Sequence, residues 1–142
     1  MGSKQKLDPG ALPGLLGYRL RLAQQAVFRD FAASVQGLSP GRVGLLILID
    51  SNPGVTQSRL AEAAERDRST MVGVLDQLEA RGLVERRRGT DRRTNGLWLT
   101  RAGRGLLGRA LRGITRHERR IASQLSAAER RQLLGLLERI SR

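Results

Sequence analysis

The chain has 142 residues, with 26 Lys and Arg against 13 Asp and Glu and a formal net charge of +13. A single domain of this length can bury a core. So strong a positive charge favours an anionic partner, most commonly nucleic acid, with an anionic membrane surface as the alternative. Aromatic residues make up only 3% of the chain, which argues against binding single strands by base stacking.

Several classes of site are excluded by composition. The sequence contains no Cys, so disulfides, thiol redox sensing and thiolate metal sites are ruled out. A zinc site needs several His or Cys ligands, and the sequence has only one His, His117. We expect neither a metal nor a cofactor. No apolar run approaches the ~18–20 residues of a membrane span. We therefore expect a cytoplasmic protein with no membrane partner.

Residues 12–36 form the first predicted element, an amphipathic helix with Pro13 in its first turn, where a missing N–H costs nothing. Its apolar residues recur at helical spacing: Leu15, Leu16, Leu22, Ala26, Phe28, Phe31 and Val35. Ser39 followed by Pro40 signals a second helix, which runs to Asp50. Residues 45–49 are all apolar, which by periodicity alone also allows a buried strand; the start signal favours a central helix.

A pair of short helices follows the turn at residues 52–54. Thr56 predicts the N-cap of the third helix, which extends through Ala64, and Asp67 or Ser69 caps the fourth. The core face of the fourth helix consists of Met71, Val74, Leu75 and Leu78. The opposite face presents Ser69, Gly73, Asp76 and Ala80, flanked by Thr70 and Gln77. Arg81 and Gly82 end this helix, the glycine in a left-handed conformation.

An arginine-rich β-hairpin comes next. Residues 83–84 and 97–99 are its two predicted strands, joined across residues 89–91. Its arginines are Arg86, Arg87, Arg88, Arg92 and Arg93, for which contact with phosphate is favoured over a merely solvated face. A helix slim enough for the major groove followed directly by a basic β-arm indicates a winged helix-turn-helix.

The C-terminal third predicts two more helices. Thr100 starts a fifth helix that runs to about Gln124, and residues 126–129 form a capping box that opens the sixth. The apolar face of the sixth helix consists of Leu133, Leu134, Leu136, Leu137 and Ile140. This face either packs on the core of its own subunit or builds a dimer interface with helices 1 and 5. We favour the interface, because two-fold dimers pair naturally with palindromic DNA.

Several short motifs occur in order along the chain. They are Leu38-Ser39-Pro40, Thr56-Gln57-Ser58-x-Leu60-Ala61, Asp67-Arg68-Ser69-Thr70, the run from Leu78 to Arg86, Asp91-Arg92-Arg93 and Leu99-Thr100-x-Ala102-Gly103. Together they resemble the MarR (multiple antibiotic resistance regulator) family, closely over residues 38–105 and by the order and length of the helices elsewhere.

The resemblance implies a mainly α protein with a small β-hairpin wing, forming a triangular homodimer. One domain would span residues 1–142, with a winged helix-turn-helix lobe at 38–100 and dimerisation helices at 11–36 and 101–142. Such proteins bind a pseudo-palindromic operator on double-stranded DNA, usually as repressors released by a small ligand. The wing Asp-x-Arg matches Asp91 and Arg93, in which the carboxylate holds the guanidinium that enters the minor groove.

The chain departs from the family on the fourth helix. Many members carry Thr-Arg where this sequence has Val72-Gly73, and Arg where it has Gln77, so the principal guanine reader is missing. We predict DNA contacts from Arg68, Ser69, Thr70, Gln77, Arg86, Arg88, Asp91, Arg92 and Arg93. Gln77 suits adenine. Simple N-terminal capping is the alternative role for Ser69 and Thr70, and it holds for at least one of them.

The ligand site is less defined by the sequence. Ligands of similar proteins sit between the dimer helices and the DNA-binding lobe, a region that contains Tyr18, Arg19, Arg21, Phe28 and Arg42. An Arg beside an aromatic side chain can hold an aromatic carboxylate, although a surface Arg that only covers apolar neighbours is the commoner case. The expected effector is an aromatic acid, its coenzyme A thioester or another lipophilic anion.

The sequence therefore predicts a sequence-specific DNA-binding transcriptional regulator. The alternative is a non-specific basic nucleoid or nucleic-acid-binding protein, which needs neither a capped recognition helix nor a wing Asp-x-Arg. We expect no enzyme, since the sequence offers neither a nucleophile–base pair nor a phosphate loop.

Overall fold

The computed structural model describes residues 6–88 and 95–142, with the side chain of Arg68 outside that description. Its helices are α1 (Leu16–Ser34), α2 (Pro40–Ser51), α3 (Gln57–Ala63), α4 (Arg68–Ala80), α5 (Arg101–Ile121) and α6 (Ala127–Ile140). Its strands are β1 (Val55–Thr56), β2 (Val84–Arg88) and β3 (Asn95–Leu99). The mainly helical fold with a β-hairpin matches the predicted class.

The first helix is shorter than predicted. Residues Leu12–Gly14 form a separate 3-10 turn, and Leu15 adopts an extended conformation before α1 begins at Leu16. Arg19 stabilises this break, because its Nε donates a hydrogen bond of 2.9 Å to the carbonyl of Pro13. Pro13 therefore occupies a 3-10 turn and not the first turn of α1.

Helix starts follow the predicted caps. The side chains of Ser39, Thr56 and Thr100 each accept a hydrogen bond from the backbone N–H three residues later. Asp67, and not Ser69, caps α4. The capping box of Ser126 and Glu129 is present at the start of α6. Helix α5 ends at Ile121, slightly before the predicted Gln124.

The core lies between α2, α4 and the sheet. Leu46 and Ile49 of α2 are fully buried, as are Met71 and Leu75 of α4 and Leu97 of β3. The apolar run at residues 45–49 is thus a central helix, as its start signal indicated. Gly82, at φ +71°, turns the chain from α4 into the hairpin.

The sheet has one strand that the sequence did not predict. Its order is β1-β3-β2, all antiparallel, with Val55 opposite Leu97 and Val84 opposite Leu99. The N–H of Gly54 also donates to the carbonyl of Leu97 over 2.8 Å. β1 is only two residues long, so no periodicity marks it. The hairpin strands are longer than predicted, because pairing continues out to Arg88 and Asn95.

A polar network joins α1 to α5. The carboxylate of Asp30 lies 2.7 Å from Nδ1 of His117 and 3.0 Å from Nε of Arg120. His117 is buried, and its ring meets the ring of Phe31 edge-on at 5.5 Å. The hydrogen bonds from Arg120 and then from His117 hold the pKa of Asp30 well below its ordinary value. His117, the single histidine, thus has a structural role, because it links α5 to Asp30 of α1.

Helix α6 buries none of its residues, although all fourteen of them, Ala127–Ile140, are described. Its exposed apolar side chains are Leu133, Leu134, Leu136, Leu137 and Ile140. Helix α1 and the residue before it also expose Leu15, Leu16, Leu22 and Phe28, of the stripe predicted from spacing. Within one chain, these two helices carry apolar surface that the core does not use.

Candidate DNA-binding surface

The N-terminus of α4 is organised around the carboxylate of Asp67. This group accepts hydrogen bonds from the backbone N–H of Thr70 at 2.7 Å, the hydroxyl of Ser69 at 2.8 Å and the hydroxyl of Thr70 at 3.0 Å. These bonds, led by that of the Thr70 backbone, lower the pKa of Asp67. Each hydroxyl donates its single proton to Asp67. The hydroxyls of Ser69 and Thr70 can therefore only accept hydrogen bonds from a partner.

The middle of the exposed face of α4 is bare. A Cβ added to Gly73 would meet nothing within 4 Å, and the neighbouring Val72 is 40% exposed. A ligand can therefore approach the backbone of α4 closely at this point. The face carries no cation of its own between Ser69 and Ala80.

One edge of this face is formed by Gln77 and Arg42. Nη2 of Arg42, on α2, donates a hydrogen bond to Oε1 of Gln77. Arg42 was predicted beside a ligand and Gln77 beside DNA. The structure brings these two residues together, 35 positions apart in the sequence.

The other edge of the face is formed by the base of the wing. Nη2 of Arg86 lies 2.9 Å from Oδ1 of Asp76, and its Nη1 lies 3.1 Å from Oε2 of Glu79. Arg86 on β2 was predicted to contact phosphate, and here it ties the wing to α4. The two carboxylates on the wing side of α4 were the signal in the sequence that could have indicated this pairing.

A second arginine of β2 packs within the wing. The guanidinium of Arg87 lies over the ring of Trp98, 4.9 Å from its centre, and also pairs with Glu85. The Trp98 ring in turn covers Gly54 and Gly96, where an added Cβ would lie 3.0 Å and 2.6 Å from ring atoms. Arg88, at the end of β2, is exposed. The base of the wing is thus held in place by two arginines before any DNA arrives.

Some predicted contacts lie outside the described residues. These are Asp91, Arg92, Arg93 and the side chain of Arg68. Their contacts with DNA stay predictions.

Four of the five predicted ligand residues lie on α1. The Arg21 guanidinium lies 5.6 Å from the centre of the Tyr18 ring, and Phe28 is half exposed. Arg19 is engaged with Pro13, whereas Arg42 lies on α2 against Gln77. The structure thus groups Tyr18 with Arg21 and does not bring Arg42 to them.

An apolar cavity of about 560 Å³ lies between α1, the C-terminal end of α5 and α6. Leu20 and Val27 of α1 line it together with Ile121, Leu133 and Leu137. None of the five predicted ligand residues lines this cavity.

In residues 6–88 and 95–142, no three His, Asp or Glu side chains lie where they could hold one metal ion. None of the helices described is long and apolar enough to cross a membrane.

The chain is similar to known transcriptional regulators. Residues 38–94 match the model of the MarR family. A relative from Thauera aromatica, a putative transcriptional regulatory protein for the hcr operon, is 42% identical over 141 residues, covering 96% of this chain and 85% of that protein. The chain belongs to the MarR family.

Solved structures of this family superpose closely. The transcriptional repressor CouR bound to a 23-mer DNA duplex is 42% identical with a TM-score of 0.92, covering 97% of this chain and all of that one. CouR bound to p-coumaroyl-CoA is 41% identical with a TM-score of 0.88, covering 96% of this chain and 99% of that one. As a MarR-family protein, this chain is a DNA-binding transcriptional regulator.

Proposed function

We propose that this protein is a repressor that binds a pseudo-palindromic operator as a homodimer and leaves it when an aromatic acyl-CoA thioester binds. The observation that carries the proposal is the likeness to CouR, which has been solved with both a DNA duplex and p-coumaroyl-CoA. Such a regulator acts where the chromosome is, and we place it in the cytoplasm.

The geometry of α4 and the wing supports specific binding to duplex DNA. The exposed face of α4 is bare at Gly73, so its backbone can lie deep in a major groove. The ion pairs of Arg86 with Asp76 and Glu79 set the position of the wing relative to α4. We propose, as the sequence predicts, that Arg88, Arg92 and Arg93 contact the DNA and that Asp91 orients Arg93.

The apolar surface of α6 supports a homodimer. Five exposed Leu and Ile side chains on one 14-residue helix are a patch of the kind that marks a protein interface. The half-exposed Leu15 and Leu16 before and within α1 extend this surface. A two-fold arrangement through α1, α5 and α6 would place two copies of α4 on successive turns of a palindromic site.

The chemistry of α1 supports an aromatic, anionic effector. The guanidinium of Arg21 lies over the ring of Tyr18, and Phe28 adds a second aromatic surface. A CoA thioester carries an acyl group for the aromatic side chains and phosphates for the cations. We propose that Tyr18, Arg19, Arg21 and Phe28 contribute to this site.

The test is a release experiment on the protein's own promoter. A labelled duplex from upstream of its gene is bound by the purified protein and titrated with p-coumaroyl-CoA, with CoA and with p-coumarate. Release by the thioester at a lower concentration than by either part supports the proposal. If none of the three releases the DNA, the thioester is not the effector.

Footprinting separates the proposal from a non-specific nucleic-acid binder. A repressor protects one short palindromic segment of the promoter and leaves the flanks open. Uniform protection along the fragment, with equal affinity for a scrambled duplex, would favour the non-specific alternative.

A further inference from the structure

Arg42 and Gln77 form a pair between two helices of the DNA-binding lobe. Nη2 of Arg42 donates to Oε1 of Gln77, and its Nη1 donates to the hydroxyl of Ser39 over 3.4 Å. Ser39 also caps α2, since its hydroxyl accepts from the backbone N–H of Arg42. The guanidinium of Arg42 is thus held between Ser39, the N-cap of α2, and Gln77 of α4.

This pair fixes the orientation of a carboxamide. The two ends of a glutamine amide have almost the same shape, so a free side chain can exchange them by rotation of its last bond. Arg has donors only, and it accepts no hydrogen bond from an amide nitrogen. Beside Arg42, Oε1 of Gln77 must therefore face α2, which leaves Nε2 at the other end of the group.

Gln77 occupies an accessible position on the reading surface. It is exposed, one helical turn after the bare Gly73, at the edge of the face that points away from the core. The Arg42–Gln77 pair borders an open groove of about 490 Å³, lined by Gly37, Leu38, Ser39, Arg42, Gln77, Ala80 and Arg81. The side chain of Gln77 therefore has open space on the side away from the core.

We propose that Arg42 is a positioning residue for base readout, which orients Gln77 so that its amide recognises adenine in one fixed sense. This rests on the binding of DNA by the exposed face of α4. Nε2 donates to N7 of adenine, while the second lone pair of Oε1 accepts from the N6 amine. A carboxamide already held in one orientation loses less conformational entropy when it pairs with adenine.

The chain offers a matched control at the same groove. Arg81 also lies on the groove, and its Nη1 donates to the carbonyl of Gly37 over 2.9 Å, but its guanidinium has no bond to Gln77. Arg42→Ala and Arg81→Ala each remove one positive charge beside α4. Only Arg42→Ala removes the hydrogen bond that orients the carboxamide of Gln77.

The experiment selects DNA from a pool of random-sequence duplexes with the full-length protein and sequences the bound fraction. The proteins compared are the wild type, Gln77→Ala, Arg42→Ala, Arg42→Lys, Arg81→Ala and the Arg42→Ala/Gln77→Ala double variant. Circular dichroism and thermal unfolding of each variant confirm that it folds before selection.

We expect the wild type to select a palindromic site with adenine at one position of each half. Gln77→Ala and Arg42→Ala should each lower the preference for that adenine about tenfold, and the double variant should lose no more than either alone. Arg42→Lys, which keeps a donor and the charge, should restore part of the preference. Arg81→Ala should weaken binding to all sequences alike and keep the preference.

Two results would overturn the proposal. One is an adenine preference that survives in Arg42→Ala while Gln77→Ala abolishes it, which would leave Gln77 as a reader that needs no positioning. The other is a selected DNA sequence that stays the same in Gln77→Ala, which would mean that Gln77 does not read a base. Failure of the proposed function looks different, because a wild type that selects no site at all would refute specific binding itself.

Discussion

Gly113 of α5 packs directly on the backbone of Ser34 in α1, so closely that a Cβ at position 113 would lie 2.4 Å from the Ser34 carbonyl oxygen. Backbone cannot yield as a flexible side chain does, so α1 and α5 must separate to accept a methyl group. We expect Gly113→Ala to lower the free energy of unfolding by about 1–3 kcal/mol, the usual cost of overpacking. Urea denaturation measures this directly.

Gly108, in the same helix, is the matched control. Its nearest neighbour on the Cβ side is the end of the flexible Arg112 side chain, at 3.9 Å. Gly108→Ala should stabilise the protein by about 0.5–1 kcal/mol, because alanine loses less backbone entropy in a helix. Equal destabilisation by both substitutions would show that the contact with Ser34 is not what limits position 113.

The Asp30 network predicts a stability that depends on pH. The pKa of Asp30 is lowered in the folded protein, first by Arg120 and then by His117, so its carboxylate is favoured by folding. The stability that this carboxylate contributes is fully present above the pKa of Asp in the unfolded chain, about 3.9. It is lost as the pH falls toward the pKa of Asp30 in the folded protein. Asp30→Asn should therefore lower the melting temperature at pH 7, and the gap to the wild type should narrow below about pH 4.

A surface carboxylate provides the comparison for Asp30. Glu138 pairs with Arg142 near the end of the chain, and both side chains are about 70% exposed. Glu138→Gln should leave the melting temperature at pH 7 almost unchanged, because exposed ion pairs contribute little. A gap for Asp30→Asn that stays constant down to pH 3 would contradict the role assigned to its charge.

The wing anchor predicts an effect opposite to that of simple charge. Asp76→Ala/Glu79→Ala removes two negative charges beside DNA, which by phosphate attraction alone should tighten binding. We expect weaker binding to the operator, about tenfold, because Arg86 then no longer fixes the wing against α4. Fluorescence anisotropy at two salt concentrations measures it. Asp50→Ala/Glu138→Ala removes the same charge from carboxylates that do not pair with Arg86. Tighter binding by the wing variant than by this control would refute the anchor.

Binding should also depend steeply on salt. With several phosphate contacts per subunit, we expect log Kd against log salt concentration to have a slope with a magnitude of about 6–10 for a dimer. Titrations between 50 and 300 mM potassium chloride give the slope. A value near 1 would mean that the arginines of the wing do not reach the phosphates.

The dimer interface can be tested on α6. Leu134 is 53% exposed in one chain, so a charged side chain there can extend into solvent in the monomer. Leu134→Glu should yield a folded monomer, because a carboxylate at the centre of the patch cannot be buried against a second copy. Sedimentation equilibrium at micromolar concentration distinguishes this from a dimer, and a wild type that is itself monomeric would refute the interface.

The sequence predicted those features that depend on neighbouring residues. The caps at Ser39, Thr56, Thr100 and Ser126 each rest on a side chain and a backbone N–H three residues apart, and all are present. The break before α1 was missed because Leu15 sits in a segment whose apolar spacing continues without interruption.

Features that join distant parts of the chain were not predictable. β1 is a strand only because Val55 meets Leu97 of β3, and Asp30 meets His117 over a separation of 87 residues. The same holds for Arg42, whose partner Gln77 lies on another helix. Its grouping with the α1 residues rested only on where similar proteins bind their ligands. Propensity carries no information about such pairs.

Trp98, the only tryptophan of the chain, gives the wing an optical signal of its own. Its indole packs against Gly54 and Gly96, and the guanidinium of Arg87 lies over the ring. A duplex that draws Arg87 toward a phosphate removes a cation from the face of the ring, which changes the electric field at the indole. The emission of a single, native fluorophore per subunit would then report the state of the wing in real time, without any label on protein or DNA.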